Sequence, residues 1–186
     1  MSAARRRTSG VHAVSLEVTS RTAAPTFASV AEGCLDDVYG YLLYLTRNSA
    51  VAEDLTGETF ETALRRWRRF DPRRGTPRAW LLSIARSTAL DWFRADGRRR
   101  KREERAGTAE PRSSVDEAFE GFSPVLEAGL RELTAGEREV VALRVVLDLD
   151  GEETARLLKI SPTAVSTRLH RALAKLEERM RHDDVA

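Results

Sequence analysis

The sequence has little of several residue types, beginning with cysteine, which occurs only once, at Cys34. A single thiol excludes an internal disulfide and any zinc site built from several cysteines. The three histidines, His12, His170 and His182, lack the spacing of metal ligands. We therefore expect no metal and no other cofactor. Because Cys34 falls in a segment with helical apolar periodicity, we expect a buried core thiol rather than a reactive one.

Long hydrophobic runs are also missing. No apolar stretch approaches the roughly 20 residues that a membrane span needs, and the first residues lack the apolar core of a secretory signal. We therefore expect a cytoplasmic protein without membrane insertion. Hydrophobic residues make up 41% of the chain and charged residues 32%, a soluble globular balance that excludes fibrous classes. Sustained period-two alternation is absent as well, so we predict no sheet.

Helical periodicity dominates the remainder and predicts an all-α fold. The predicted helices span residues 27–46, 50–69, 77–95, 135–147, 151–158 and 162–181. Residues 1–26 show no periodicity and predict a disordered N-terminal tail. Residues 106–129 are rich in Gly, Pro, Ser and acids and predict a flexible linker, with a short helical turn around 115–121. The prediction is two small helical domains, 27–105 and 130–182, joined by a flexible acidic linker.

Charge is nearly balanced overall, with 31 basic against 29 acidic residues, but its distribution is uneven. Residues 27–105 hold 16 basic and 12 acidic side chains, whereas residues 106–129 hold one and five. The chain from residue 130 onward is close to neutral, with ten basic and eleven acidic side chains. A basic block, an acidic connector and a near-neutral block indicate two domains with different roles.

The most specific motif is GEETARLLKISPTAVSTRLHRALAKL, residues 151–176. A short helix, a tight turn and a second helix capped by Ser161 with Pro162 in its first turn predict a helix-turn-helix. Glycine is favoured in the turn because φ is often positive there, yet this chain has Lys159. Hydroxyls and arginines on the second helix could reach base edges and phosphates in a major groove. The candidates are Thr163, Ser166, Thr167, Arg168, His170 and Arg171. An ordinary helical hairpin with a solvated polar face is the alternative.

Two further segments suggest binding. In AEDLTGETF, residues 52–60, Asp54 and Glu58 begin an acidic strip that Glu61 continues; it could be solvated or pair with Arg65. In GTPRAWLLSIARSTALDWFR, residues 75–94, arginines and aromatic residues share one helix. Aromatic faces capture unstacked bases while arginines hold phosphates. We expect four of its residues to belong to the core: Trp80, Leu81, Ile84 and Ala85. For three others, contact with nucleic acid stays open: Trp92, Phe93 and Arg94.

Taken in order, these motifs resemble the bacterial RNA polymerase sigma factors, and most closely the small two-domain extracytoplasmic-function type. The resemblance covers about residues 27–105 and 130–180. It includes the segment LTAGEREVVALRVVLDLD, which precedes the helix-turn-helix. It implies a sigma region 2-like domain, a linker and a sigma region 4-like domain. The implied function is that of a specificity subunit, not an enzyme, which binds core polymerase and directs transcription initiation at promoters.

The resemblance also implies roles for individual residues. Docking on a coiled coil of the polymerase largest subunit is implied for Asp54, Leu55, Glu58, Thr59 and Phe60. Recognition and melting of the −10 element, including capture of a flipped base, is implied for Arg78, Trp80, Arg86, Ser87, Asp91, Arg94 and Arg98. The helix from residue 162 to 178 would read the −35 element through the six polar candidates named above. The acidic linker would run toward the RNA exit path.

The implied partners are core RNA polymerase, through its largest-subunit coiled coil and its flap, and promoter DNA in duplex and single-stranded form. Factors of this type are often held inactive by an anti-sigma factor, which is a candidate partner that no residue here identifies. The free protein is expected to be monomeric. The chain departs from the family pattern at Gly57, where Gln is common, at Ser87, where Asn is usual, and at Ser166, where a basic residue is usual.

Two other functions were weighed. A helix-turn-helix regulator that binds duplex DNA without polymerase would explain the C-terminal block but not residues 52–94, and it would usually be a dimer. An enzyme acting on nucleic acid, such as a recombinase, would need a nucleophile constellation, a metal cluster or a phosphate-cradling glycine loop, and the sequence offers none.

Overall fold

The computed structural model describes residues 25–107 and 123–183, with side chains up to residue 181. Every regular element in these two ranges is helical, which confirms the predicted all-α class. They contain the helices α1 Phe27–Thr46, α2 Ser49–Arg66, α3 Pro77–Ala106, α4 Pro124–Glu132, α5 Ala135–Val141, α6 Gly151–Leu158 and α7 Pro162–Asp183. The predicted tail up to residue 24 and the predicted turn at 115–121 lie outside the described residues. None of the described helices has the length and apolar character of a membrane span.

Polar caps explain where these helices begin. At each N-terminus a side-chain oxygen accepts a hydrogen bond from a backbone N–H of the first turn, a group that has no partner inside the helix. The seven caps are Thr26, Asn48, Thr76, Ser123, Thr134, Asp150 and Ser161. Because these caps are visible in the sequence, the predicted starts at residues 27, 77, 135, 151 and 162 are confirmed.

The end of α3 was predicted wrongly. The helix was expected to stop near Gly97, but it continues to residue 106 and ends at Gly107, which takes the left-handed conformation with φ 67°. The buried carboxylate of Asp96 pairs with Arg99 and, at 2.8 Å, with Arg100. These pairs link successive turns and offset the roughly 1 kcal/mol that a helical glycine costs.

Two other segments also differ from the prediction. Helix α4 lies partly inside residues 106–129, which were assigned to the linker. The predicted helix 135–147 is instead a short α5 followed by a π-helical turn, Ala142–Val146. The wider turn leaves Val145 and Val146 exposed while Leu143 and Leu147 are buried. The domain boundaries themselves remain a prediction.

Helices α1, α2 and α3 pack together as an N-terminal group, and α4, α5 and α6 pack on α7 as a C-terminal group. The buried side chains of the N-terminal group include Val38, Tyr41, Leu42, Leu55, Leu81, Leu82, Ile84 and Ala85. Those of the C-terminal group include Leu130, Val140, Leu143, Leu149, Leu158, Val165, Ala172 and Leu176. The buried face of α2 follows Leu55, Thr59 and Ala63, which leaves Leu64 60% exposed.

The two groups also contact each other. Helix α3 packs against α6, and α1 packs against the π-helical turn, so the buried residues of both groups form one continuous hydrophobic cluster. The linker prediction suggested two units on a loose tether. In the structure the units are docked, and this docking covers part of the predicted DNA-binding surface.

Candidate nucleic-acid interface

Four aromatic rings cluster where residues 67–76 lead into α3. Trp67 and Phe70 stack with ring centroids 5.2 Å apart and planes inclined by 4°. Trp80, from the first turn of α3, meets these two rings at 5.8 and 5.4 Å, and Phe27 of α1 meets Trp67 at 5.6 Å. Trp80 is therefore half-buried against the core, as expected, and packs against the Trp67 and Phe70 rings.

An open groove of about 1250 Å³ lies beside this aromatic cluster, between residues 69–80 and α6. Its wall includes Arg69, Phe70, Arg73, Arg74, Trp80, Glu153 and Arg156. The loop is shaped by the Asp71 carboxylate, which accepts a hydrogen bond from the Arg73 N–H at 3.0 Å, and by Gly75, whose φ of 148° suits glycine. Arginines beside aromatic faces can hold the phosphates and bases of a single strand.

Two of the predicted DNA-binding arginines are engaged within the protein. Arg78 donates from Nε to Asp37 Oδ2 at 2.5 Å and from Nη2 to the Leu147 carbonyl at 2.7 Å. Arg86 forms a two-pronged pair with the Glu139 carboxylate at 2.9 and 3.3 Å. Nothing in the sequence indicated Asp37 or Glu139, because both contacts join residues far apart along the chain. The Arg86 side chain is 20% exposed and that of Arg78 is 36% exposed, so the contacts cover Arg86 more fully than Arg78.

The other predicted residues of α3 form an exposed stripe. Ser87, Asp91, Arg94 and Arg98 follow the helical spacing i, i+4, i+7 and i+11 and all face solvent. Within the stripe Arg94 pairs with Asp91 at 2.8 Å, and both side chains are more than two-thirds exposed. An ion pair this exposed contributes little and is easily exchanged for a phosphate. This stripe is the most exposed part of the predicted −10 surface.

The structure separates the three residues whose role stayed open. Trp92 is half-buried against the core, whereas Phe93 is 40% exposed and Arg94 is exposed. The Trp92 and Phe93 rings meet edge to face, with centroids 5.1 Å apart. Trp92 therefore anchors the helix on the core, whereas Phe93 presents its ring to solvent and Arg94 presents a positive charge.

The acidic strip of α2 divides into an exposed and a buried part. Asp54 and Glu58 face solvent, whereas Leu55 and Thr59 are buried and Phe60 is half-buried. The Thr59 hydroxyl donates to the Leu55 carbonyl at 2.7 Å, which satisfies it inside the helix. Leu55, Thr59 and Phe60 thus position the strip, and the two carboxylates are available to a basic partner.

The helix-turn-helix is formed by α6 and α7. Lys159 occupies the turn with φ 57°, the left-handed conformation that the motif predicts at this position. Ser161 caps α7 by accepting from the Ala164 N–H at 3.1 Å. Val165, Ala172 and Leu176 face the core, which turns the opposite side outward. The exposed candidates are Thr163, Ser166, Thr167, His170 and Arg171.

Arg168 differs from the other −35 candidates. Its side chain is half-buried and folds back toward α5, where its guanidinium lies against Gly136. A Cβ at Gly136 would stand 3.2 Å from Arg168 Nη1, so the missing side chain makes room for the arginine. The Ser166 and Thr167 hydroxyls donate to the carbonyls of Pro162 and Thr163, at 3.2 and 2.9 Å. Each hydroxyl keeps lone pairs that can still accept.

Glu137, on α5, contacts α7 through Lys175, and the sequence analysis did not identify it. Its carboxylate accepts from the Thr134 N–H and from Lys175 Nζ, both at 2.8 Å. Burial raises its pKa, but the hydrogen bonds from Lys175 and Thr134 outweigh burial and lower the pKa below its ordinary value. The Thr-x-x-Glu spacing of a capping box could have indicated its local role. The contact with Lys175 could not have been read from spacing.

The described residues also bear on whether the protein could hold a metal ion. In the described ranges, no three His, Cys, Asp or Glu side chains come together as metal ligands. Cys34 is half-buried and packs against the core. Burial and the nearby Asp37 carboxylate raise the pKa of its thiol, which favours the protonated, less nucleophilic form.

Comparison with known families gives two matches in sequence order. Residues 30–99 match the family described as Sigma-70 region 2, and residues 125–176 match Sigma-70, region 4. The chain is 31% identical to the ECF RNA polymerase sigma factor SigX of Bacillus subtilis, over 83% of this chain and 84% of that protein. It is 36% identical to the RNA polymerase sigma factor CarQ of Myxococcus xanthus, over 76% and 81%.

Solved structures have the same fold. The sigma factor RpoE of Bartonella quintana, crystallised with the anti-sigma factor NepR, superposes with a TM-score of 0.69 at 21% identity, over 83% of this chain and 96% of that one. CnrH, in complex with the cytosolic domain of CnrY, superposes with a TM-score of 0.61 at 25% identity, over 84% and 88%.

Proposed function

The chain belongs to the ECF RNA polymerase sigma factors, and from this premise we infer that it binds core RNA polymerase and directs promoter-specific transcription initiation. The observation that carries this inference is the presence of a region 2 match and a region 4 match, in that order, in one chain. A helix-turn-helix regulator acting without polymerase would not need the first segment, and it is not favoured. Sigma factors are specificity subunits, so the polymerase supplies the chemistry.

For polymerase docking we propose the exposed edge of α2. Asp54 and Glu58 offer two carboxylates one helical turn apart, and the buried Leu55 and Thr59 fix their position. A basic surface on the polymerase largest subunit would complement them. The exposed hydrophobic residues of the C-terminal group, such as Leu173 and Met180, suit the flap of the core enzyme.

For the −10 element we propose the groove at residues 69–80 together with the exposed stripe of α3. Aromatic rings and arginines in the groove suit an unstacked base and its phosphate. Arg94 and Arg98 continue the positive surface along the helix. Arg78 and Arg86 would join this surface only after leaving their present partners.

For the −35 element we propose the N-terminal half of α7. Its polar residues are exposed on one side, and the helix N-terminus adds a favourable potential for phosphate. Arg171 and His170 are placed to reach base edges, whereas Arg168 is turned toward α5.

Since the polymerase and the promoter are in the cytoplasm, we place the protein there, as a monomer when free. An anti-sigma factor that covers both groups is a further proposed partner, in line with the complexes of its structural neighbours.

Transcription in vitro tests the function. Purified protein is added to sigma-free core polymerase on a sheared genomic template, and RNA 5′ ends are mapped. We expect discrete new starts that share paired upstream elements. If a folded monomer and a competent core produce no new starts, the chain is not an initiation factor.

Variants on the mapped promoter test the −10 assignment. Arg94→Ala and Arg98→Ala should each reduce the salt dependence of holoenzyme binding by about one counterion per lost phosphate contact. Arg181→Ala is the matched control, because Arg181 is 76% exposed and pairs only loosely, at 3.8 Å, with Glu177. An unchanged salt slope for both α3 variants would remove the stripe from the DNA-binding surface.

A further inference from the structure

The basic residues at the C-terminal end of α3 are divided between two faces of the helix. Arg99 and Arg100 both pair with the buried carboxylate of Asp96. Four others lie on a different face, where they are exposed and form no ion pair with another described residue: Arg98, Lys101, Arg102 and Arg105. At 3.6 residues per turn these four fall within an arc of about 100°. The end of α3 therefore presents a one-sided strip of positive charge, which we call the basic strip.

The basic strip continues the exposed stripe of α3 that begins at Ser87. From Ser87 to Arg105 this side of the helix runs for about 27 Å. Duplex DNA rises about 3.4 Å per base pair, so the same length of DNA holds about eight base pairs. The match to Sigma-70 region 2 ends at residue 99. Lys101, Arg102 and Arg105 therefore extend the charged side of α3 beyond the part of the helix that the family match covers.

The charges of the basic strip repel one another in the free protein. Its members are spaced three or four residues apart, and like charges at this spacing destabilise a helix. The two acids nearest in sequence, Glu103 and Glu104, point about 150° and 110° away from the centre of the strip. The helix dipole accounts only for Arg105, because its effect is confined to the last turn. A polyanion laid along the strip would relieve this repulsion.

Duplex DNA suits the basic strip better than an unpaired strand does. Residues 97–106 contain no aromatic side chain on which a base could stack, in contrast to the groove beside Trp80. Over the roughly 10 Å from Arg98 to Arg105, duplex DNA carries about six phosphate charges, which is enough to meet four cations. The chain leaves α3 at Gly107 and leads to the helix-turn-helix proposed for the −35 element. This connection orients the strip toward the −35 side of the −10 element.

We propose that Lys101, Arg102 and Arg105 bind the phosphates of duplex DNA immediately upstream of the −10 element. This inference rests on the proposed binding of the −10 element by α3. The contacts carry no sequence information, because the phosphates are the same in every sequence. The basic strip thus adds affinity and fixes the path of the DNA between the two promoter elements, whereas the elements themselves supply the specificity.

The salt dependence of holoenzyme binding to two DNA fragments tests the proposal. Both fragments carry the mapped −10 element with a single-stranded nontemplate strand, and only the longer one adds about ten base pairs of upstream duplex. The salt slope is the slope of log affinity against log salt concentration. On the longer fragment, the triple variant Lys101→Ala, Arg102→Ala, Arg105→Ala should have a slope shallower by about 2.7, or about 0.9 for each of three phosphates. It should therefore lose about 40-fold less affinity than wild type between about 50 and 200 mM salt.

On the shorter fragment the triple variant should behave as wild type, because the duplex that the basic strip contacts is missing. Equal slopes for wild type and variant on the longer fragment would overturn the proposal. The same reduction on both fragments would also overturn it, since the strip would then act on the −10 element itself.

Single substitutions provide the matched control. Each of the three alone should lower the slope on the longer fragment by about 0.9, whereas Arg181→Ala, which removes an exposed arginine from α7, should not. Alanine has the highest helix propensity, so α3 should keep its structure, and circular dichroism checks this. Replacing the upstream duplex by an unrelated sequence should leave the effect unchanged. A loss confined to one sequence would indicate base readout and would overturn the phosphate contacts.

Two further measurements separate failure of this inference from failure of the proposed function. Binding of the triple variant to core polymerase without DNA should equal that of wild type, and a matching loss there would assign the basic strip to the polymerase and overturn the proposal. If the wild-type protein supports no initiation in the transcription assay, the sigma function and this inference both fall. If it initiates normally and the triple variant keeps the wild-type salt slope, the function stands and the role of the basic strip falls.

Discussion

At Glu137 one buried carboxylate joins two segments of the C-terminal group. It completes the capping box with Thr134 at the start of α5 and accepts from Lys175 on α7. Hydrogen bonds to a buried charge stabilise more than neutral ones, because water no longer competes for them. The helix that carries the −35 candidates is therefore held in place by a residue that faces away from DNA.

Glu137→Gln should lower the free energy of unfolding by about 1–2 kcal/mol at pH 7. The folded state lowers the pKa of this carboxyl, so its contribution is complete above the ordinary value near 4.5 and is lost as pH falls through the lower folded-state pKa. The difference between wild type and variant should thus shrink in acid. Urea unfolding at several pH values checks this. Glu152→Gln, at an exposed pair, should change little at any pH.

Lys159 is a second residue at which a substitution should change the free energy of unfolding, here because of the backbone conformation. Its φ of 57° is a left-handed backbone conformation, which costs a residue with a Cβ about 1 kcal/mol relative to glycine. Lys159→Gly should therefore raise the free energy of unfolding by roughly 0.5–1 kcal/mol. Arg156→Gly, inside α6, should lower it by about as much, since glycine is unfavourable in a regular helix. Thermal melts of both variants give the two signs, and the same sign for both would contradict the strain.

At the scale of elements, the glycines of α2 and α4 show how packing overrides propensity. A Cβ at Gly57 would meet nothing within 4 Å, whereas one at Gly129 would stand 2.9 Å from Leu176 Cδ2. Gly57→Ala should stabilise the protein by about 0.5–1 kcal/mol, because only helix propensity changes. Gly129→Ala should destabilise it by about 1 kcal/mol, because the buried Leu176 must move. Chemical denaturation measures both, and a gain at Gly129 would show that the core there is loosely packed.

The elements also differ in how well local signals describe them. Caps specify where helices begin, and every helix of the sequence prediction began within one residue of its predicted start. Helix ends were less predictable, since α3 passes through Gly97 at a point where Asp96 pairs with the arginines that follow it. The short α4 was missed because Ser123 and Pro124, a cap and a first-turn proline, lie in a segment whose composition indicates a linker.

For the whole molecule, the docked groups predict a single cooperative unfolding transition. The buried residues of both groups belong to one cluster, so separating the groups exposes apolar surface from each. Glu139→Lys should uncouple them and broaden or split the transition, whereas Glu152→Lys should not. Differential scanning calorimetry distinguishes the cases. Two separate transitions in the wild type would show that docking does not couple the groups.

The sequence by itself determined the all-α class, the helix starts, the helix-turn-helix and the family resemblance, because these depend on local periodicity, caps and motif order. It also identified the candidate binding surfaces, since exposed polar stripes follow from helical spacing. Only the tertiary structure decided which of those residues are accessible. Asp37, Glu139 and the Leu147 carbonyl lie dozens of residues from the arginines they hold, and such contacts depend on how the helical groups pack. Packing therefore covers part of a surface that the sequence predicts to bind DNA.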